Sequence, residues 1–272
     1  MKQLSVPLPF ATRLHMGMER HGALHARGLY MGTNLKASMF HKGRYQGTMD
    51  LGSGLVTNVG VLSLASEAVV LAAPSGARIN ALFLAKNHFT GTGGTAAAAT
   101  DIKVQTISTV GGQTPVAGTQ VLGAANSTTI TYQTVATVPY TGTEAVTEWC
   151  LITSGTVSST TGSPFTATSA TTGTVTGTPL TASSSTVQGQ QQNIVETTTT
   201  PRWGFITSNS TSVVTIPAWY VTSTGASGST PGGTEAYTFR PILWDHKVFS
   251  AINVINGDSI QFTYTLTINA GG

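Results

Sequence analysis

Charge is what this chain has least of. Asp, Glu, Lys and Arg make 8% of its 272 residues, against about 25% in a typical soluble domain, and residues 104–201 contain neither Lys nor Arg. Cysteine is nearly absent as well: Cys150 alone cannot form an internal disulfide framework. Six His and ten acidic residues are too dispersed to suggest a metal cluster, so neither a metal nor a cofactor is expected. No uninterrupted apolar run reaches the roughly 18 residues that a membrane span needs. A secretory signal is not readable either, because the apolar residues of Met1–Phe10 are broken by Pro7 and Pro9. At 28.0 kDa the chain can bury a core without crosslinks.

Hydroxyls supply the missing polarity. There are 48 Thr beside 31 Gly and many Ser. Threonine is β-branched and loses little by lying in a strand, while glycine serves turns and close backbone approaches. The composition is that of an all-β protein with long Gly/Ser/Thr connections.

What charge there is gathers at the start. Residues 1–50 hold seven Lys and Arg against Glu19 and Asp50, a formal +5, together with all six Met and four of the six His. This stretch has no clean period of 2 or 3.6, which predicts an extended basic arm ordered by lying on a partner. Arg13, Arg20, Arg27, Lys36 and Arg44 are its interface candidates. The cations are singly spaced without interleaved aromatics, so a neighbouring protein is expected there and direct DNA contact is not.

Alternation marks the strands. Residues 127–138 place Ile130, Tyr132, Thr134, Ala136 and Val138 on one face, and residues 259–268 do the same with Ile260, Phe262, Tyr264, Leu266 and Ile268. The turn signal Asn256-Gly257-Asp258 precedes the second, and 248–254 reads as a further strand. Residues 145–152 form another, with Cys150 as a small core residue. The segment 77–89 has two apolar faces, the mark of a covered strand. Residues 55–73 are buried as short helix or strand, and the periodicity leaves both open. GTGGTAAAATD at 91–101 lacks the lysine and spacing of a phosphate loop, and reads as an excursion along a sandwich edge.

From residue 153 to 240 the sequence is rich in Ser, Thr, Gly and Gln, which predicts an inserted β module. Trp203, Trp219 and Tyr220 within it suit a core, a protein interface or glycan stacking. Catalytic signals are missing. Glu144 and Glu148 form the one close acidic pair, about 13 Å apart at strand rise, too far for either glycosidase geometry, and there is no nucleophile elbow.

In chain order, GLVTNVGVLSLA at 54–65, GTGGTAAAATD at 91–101, TEWCLI at 147–152 and LWDHKVFSAINVINGDSIQFTYTLTINAGG at 243–272 resemble a family of tailed-bacteriophage virion proteins. Its members are uncharacterised head-decoration, cement or tail-associated components. Here Cys150 stands where the family has Gly, and 96 residues separate it from Lys247 where the family has a brief turn. The resemblance implies a non-enzymatic virion structural protein, assembled in the host cytoplasm and oligomeric in the particle. Its expected partners are the major capsid protein or other virion proteins. The alternatives are a tail, collar or fibre component that meets a host surface receptor and, more distantly, a carbohydrate-active enzyme. No membrane partner is expected. The expected fold is an antiparallel, jelly-roll-like β-sandwich: an arm at 1–50, a first part at 51–152, the inserted module at 153–240, and closing strands at 241–272.

Overall fold

A computed structural model describes residues 29–61, 85–111, 114–123, 129–153, 161–176, 180, 182 and 193–270. In chain order the strands begin with β1 (Leu29–His41), β2 (Arg44–Gly52), β3 (Leu55–Val56), β4 (Asn87–Gly91), β5 (Val116–Ala117), β6 (Thr119–Leu122), β7 (Thr129–Pro139) and β8 (Glu144–Ile152). Nine more follow: β9 (Thr161–Ala167), β10 (Thr172–Val175), β11 (Asn193–Thr197), β12 (Arg202–Phe205), β13 (Ser208–Asn209), β14 (Val213–Thr215), β15 (Trp219–Val221), β16 (Ser227–Gly228) and β17 (Thr234–Pro241). The last two are β18 (Leu243–Val254) and β19 (Asp258–Ala270). One helical turn, α1, occupies 58–61. The chain is all-β, and every ladder between its strands is antiparallel.

Two five-stranded sheets make the sandwich. Sheet I runs β2-β1-β19-β7-β6 and sheet II runs β3-β18-β8-β4-β5. Period-2 alternation builds the face between them. Ile260, Phe262, Tyr264 and Leu266 of β19 and Tyr132, Ala136 and Val138 of β7 turn inward onto Val146, Trp149, Leu151, Trp244, Ile252 and Val254 of sheet II. Trp149 stacks on Tyr264 with ring centroids 5.5 Å apart. Each such ring contributes about 1.5–3 kcal/mol by leaving water. Strand β19 is central, paired with β1 on one side and β7 on the other. The turn at 255–257 is closed by Asp258, whose amide donates to the Ile255 carbonyl at 3.0 Å and whose Oδ2 accepts the Ile255 amide at 2.9 Å.

The segment expected as an arm through residue 50 departs from that reading. From Leu29 onward it is strand, and β1 pairs with β19 along its whole length. Leu35 and Ala37 lie in the core with Met31 and Met39 packed on the same side, while Lys36 points outward. The hairpin closes through Lys42 and Gly43, both at positive φ (47° and 77°), the geometry of a two-residue I′ turn. Residues 1–28, with Arg13, Arg20 and Arg27, lie outside the described residues.

Among the described residues, the nine strands from Thr161 to Pro241 form a third sheet that no other strand enters, ordered β13-β14-β10-β9-β17-β11-β12-β15-β16. It curls on itself: Phe165 of β9 meets Trp219 of β15 at 5.7 Å although three strands lie between them in the sheet. The curl encloses Phe165, Val175, Val195, Ile216, Trp219, Tyr237 and Phe239. The opposite face of β11 and β12 offers Ile194, Trp203 and Phe205 to Val59 of α1, Ile102 and Ile242, which fastens this unit to the sandwich.

Candidate functional site: a buried carboxylate and histidine clamp

Residues 92–105 leave β4 and cross the outer face of sheet II, and 106–108 return along the edge of β4, where Gly91 bridges Ile107 and the Thr92 and Ser108 amides meet the Thr106 and Thr90 carbonyls at 2.9 and 3.2 Å. Both glutamates of β8 hold them there. Glu148 accepts the amides of Gly93 at 3.1 Å, Gln105 at 2.6 Å and Thr106 at 3.2 Å. Four residues back along β8, Glu144 accepts the Thr109 amide at 2.9 Å and the Ser108 hydroxyl. The approach leaves no room for a side chain at Gly93, where a Cβ would fall 2.5 Å from Glu148 Oε2.

His246 of β18 completes the clamp. Its Nε2 lies 2.8 Å from Glu148 Oε1 and its Nδ1 2.7 Å from Asp101 Oδ2, so both nitrogens donate and the ring is an imidazolium. Burial opposes this charge, yet the hydrogen bonds to Asp101 and Glu148 outweigh it and push the imidazole up to about 9. The Glu148 carboxyl is held below its usual range: burial works against it, but His246 and the amides of Gln105 and Thr106 prevail. With His246 and Glu148 both buried completely, the arrangement keeps fixed charges through the neutral range and tethers a loop. A general base would need a proton affinity near the working pH.

Behind the clamp the chemistry differs. His88 is driven down to about 3 by burial. It stays neutral, accepting the Trp149 indole N–H at Nδ1 (3.1 Å) and facing Thr134 Oγ1 from Nε2 (3.3 Å). Asp245 is fully buried; burial pushes its carboxyl up to about 7, against the lowering effect of the Tyr264 hydroxyl, the His246 amide and the Thr33 hydroxyl beside it. The thiol of Cys150 is pushed well up by burial, followed by the charges of Glu148 and Asp245, and such a thiol is inert. Among the described residues no group of three His, Cys, Asp or Glu is placed to hold a metal ion, and no helix is long and apolar enough to cross a membrane.

The interface candidates separate. Lys36 and Arg44 are exposed on β1 and β2. Trp203 and Trp219 are 1% and 4% exposed, so as interface residues they are corrected to core. Trp219 packs inside the curl of the third sheet. Trp203 stacks on the half-buried Tyr220 at 4.5 Å, and both pack with the residues that join the two units. The clamp itself was not readable, since Asp101, Glu148 and His246 share no local spacing. Its one trace is a run of three charged or titratable residues, Asp245-His246-Lys247, inside a strand that begins Leu-Trp and ends Ile-Asn-Val.

A second feature lies where sheet II ends. Among the described residues strand β3 pairs only with Asp245 and His246, and beside it a groove of about 380 Å³ opens along β18, lined by Ser53, Gly54, Gly94, Ala96, Lys247 and Phe249 among others. Comparison with protein families, with curated proteins and with solved structures gives no match for this chain.

Proposed function

We propose that the chain is a non-enzymatic structural subunit of a tailed-bacteriophage virion, a decoration or cement protein that binds and stabilises the head shell through subunit contacts. One observation carries the reading. The outer strand of sheet I, β2, is exposed along most of its nine residues, and Tyr45 and Met49 on it are 60% and 41% exposed. An unpaired edge of this length that exposes large apolar side chains is a ready contact surface, and a subunit that meets neighbours in a particle has a use for one. The resemblance of the 54–272 segments supports the same reading. So does the clamp, whose charges rigidify a surface loop. The partners are then the major capsid protein and further copies of this chain, and the site of action is the particle.

The test is to add purified protein to particles assembled without it. Co-sedimentation, with a rise in the temperature at which the shell releases its DNA, is the expected result. Failure to bind heads overturns the decoration role. Binding to tails with altered adsorption to host cells would move the protein to the tail or fibre alternative, in which the third-sheet unit is the projecting part.

A further inference from the structure

Five consecutive residues of the tethered loop are shared between sheet II and the third sheet. Asp101 turns to sheet II, where its Oδ2 meets His246 Nδ1 at 2.7 Å and also closes its own turn by accepting the Ala98 amide at 2.8 Å. Ile102 turns the other way and is buried with Ile194, Trp203 and Phe205 of the third sheet. Lys103 Nζ reaches Glu196 Oε1 of β11 at 3.4 Å, and Arg240 of β17 holds the same carboxylate. Val104 returns to sheet II and packs with Phe89, Cys150 and Ile152. The Gln105 amide ends the run on Glu148 Oε1 at 2.6 Å. One short strap of chain therefore has the clamp at both of its ends and the third sheet at its middle.

The chain itself joins the two bodies at a neck. Thr153 after β8 and Ile242 before β18 lie side by side, the Ile242 amide donating to Thr153 Oγ1 at 3.0 Å and the Thr153 amide to the Ile242 carbonyl at 3.1 Å. Next to the strap, α1 presses on the turn at 222–226, where a Cβ at Gly225 would fall 2.7 Å from Asn58 Nδ2. Packing under the strap is incomplete. A cavity of about 50 Å³ lies there, lined by Phe89, Cys150 and Ile152 of sheet II and by Arg240 and Pro241 of β17, whereas protein interiors leave few voids larger than a water molecule. A unit held by a neck and a strap over unfilled space turns about the neck once the strap is slack, the geometry of a hinge.

We propose that residues 101–105 are a positioning strap, through which His246 and Glu148 of sheet II set the orientation of the third-sheet unit. The clamp is the stiff end, because its histidine and glutamate are fully buried and paired with each other and with Asp101. The pair of Lys103 with Glu196 is the compliant end, since the lysine side chain is 52% exposed and water and salt screen such a contact. This device needs the single chain alone and stands or falls apart from the virion role. In a particle it decides how the third-sheet unit is presented.

Paired spin labels read the orientation. Thr137→Cys on the outer face of sheet I and Ala170→Cys in the turn between β9 and β10 are both at exposed positions, and the one native cysteine, Cys150, is buried and escapes labelling. With the strap intact the distance distribution between the labels is expected to be narrow. Asp101→Asn and His246→Asn should each broaden and shift it. Glu144→Gln frees the same loop at Ser108 and Thr109, outside the strap, and should leave the distribution as it is. Ile102→Ala cuts the strap from the third sheet and spares the clamp, so it should broaden the distribution while amide exchange at Gly93, Gln105 and Thr106 keeps its wild-type rate. An unchanged distribution in Asp101→Asn or in Ile102→Ala overturns the proposal, whatever happens to the melting temperature. Equal broadening by Glu144→Gln overturns it too, because the effect would then be one of general loop loosening.

Discussion

Glu148 and His246 meet from adjacent strands of sheet II with Oε1 and Nε2 2.8 Å apart and both side chains fully buried. Removing the Glu148 charge leaves the buried His246 imidazolium to Asp101 alone and takes the carboxylate from the amides of Gly93, Gln105 and Thr106, a loss of about 1–3 kcal/mol. Glu148→Gln is therefore expected to lower stability by that order in denaturant unfolding, and to speed amide exchange at Gly93, Gln105 and Thr106 before the rest of sheet II. The pH dependence follows from the two shifts. The depressed Glu148 contributes above its ordinary 4.5 and is lost as pH falls through its lower folded value. The raised His246 contributes fully below 6.5 and is lost as pH climbs through about 9. Wild type minus variant should be greatest between those two ordinary values, and a flat difference from pH 3 to 10 would contradict the assignment.

Asp245 has the opposite consequence. Its folded value is raised from 3.8 to about 7 by burial, so the stability it permits is complete below 3.8 and declines as pH rises through 7. Three units correspond to about 4 kcal/mol at most. Asp245→Asn should flatten the decline between pH 4 and 7 measured by chemical denaturation. The slope is the readout, since a buried amide whose NH2 group is left unsatisfied carries its own cost of about 1–3 kcal/mol.

Neighbouring glycines in the tethered loop separate tight contact from open space. A Cβ at Gly93 would fall 2.5 Å from Glu148 Oε2 and 2.7 Å from the Gln105 side chain, whereas nothing lies within 4 Å of one at Gly94. Gly93→Ala is expected to cost about 1–3 kcal/mol through overpacking, with Gly94→Ala near neutral. Equal melting temperatures for the two variants would mean that the loop is not held against β8.

Strict alternation makes β7 and β19 legible in sequence, because one buried face and one hydroxyl face leave a single register. Strand β1 hides for a physical reason. Its inward positions include Met31, Thr33, Ala37 and Met39, residues of mixed polarity and size, and its outward positions include Phe40, so the alternation is blurred. The turn at Lys42-Gly43 also lacks the Asn or Asp that usually announces a I′ hairpin. The clamp is illegible because it joins three distant segments through side chains, and a lone glutamate in a strand reads the same whether it faces water or caps a loop. Trp203 and Trp219 were readable as buried or as exposed, and burial depends on a curl of the sheet that local pattern does not encode.

Trp219 offers the sharpest test of the third sheet. Its ring sits between strands that are distant in the sheet, 5.7 Å from Phe165, while its indole N–H is buried without a hydrogen-bond partner. Two contributions therefore oppose each other at one residue: the ring stabilises by packing, and the unsatisfied donor costs about 1–3 kcal/mol. Trp219→Ala removes the packing and should lower stability by about 3–5 kcal/mol. Trp219→Phe keeps most of the ring and removes the donor, so its loss should stay within about 1 kcal/mol. Because Val59 and Ile102 of the sandwich pack on the far face of the sheet with Trp203 and Phe205, loosening the curl should also weaken that contact, and amide exchange around Ile102 reports it. A Phe variant as unstable as the Ala variant would show that the indole nitrogen is satisfied in solution, and an Ala variant with an unchanged melt would place the ring at the surface.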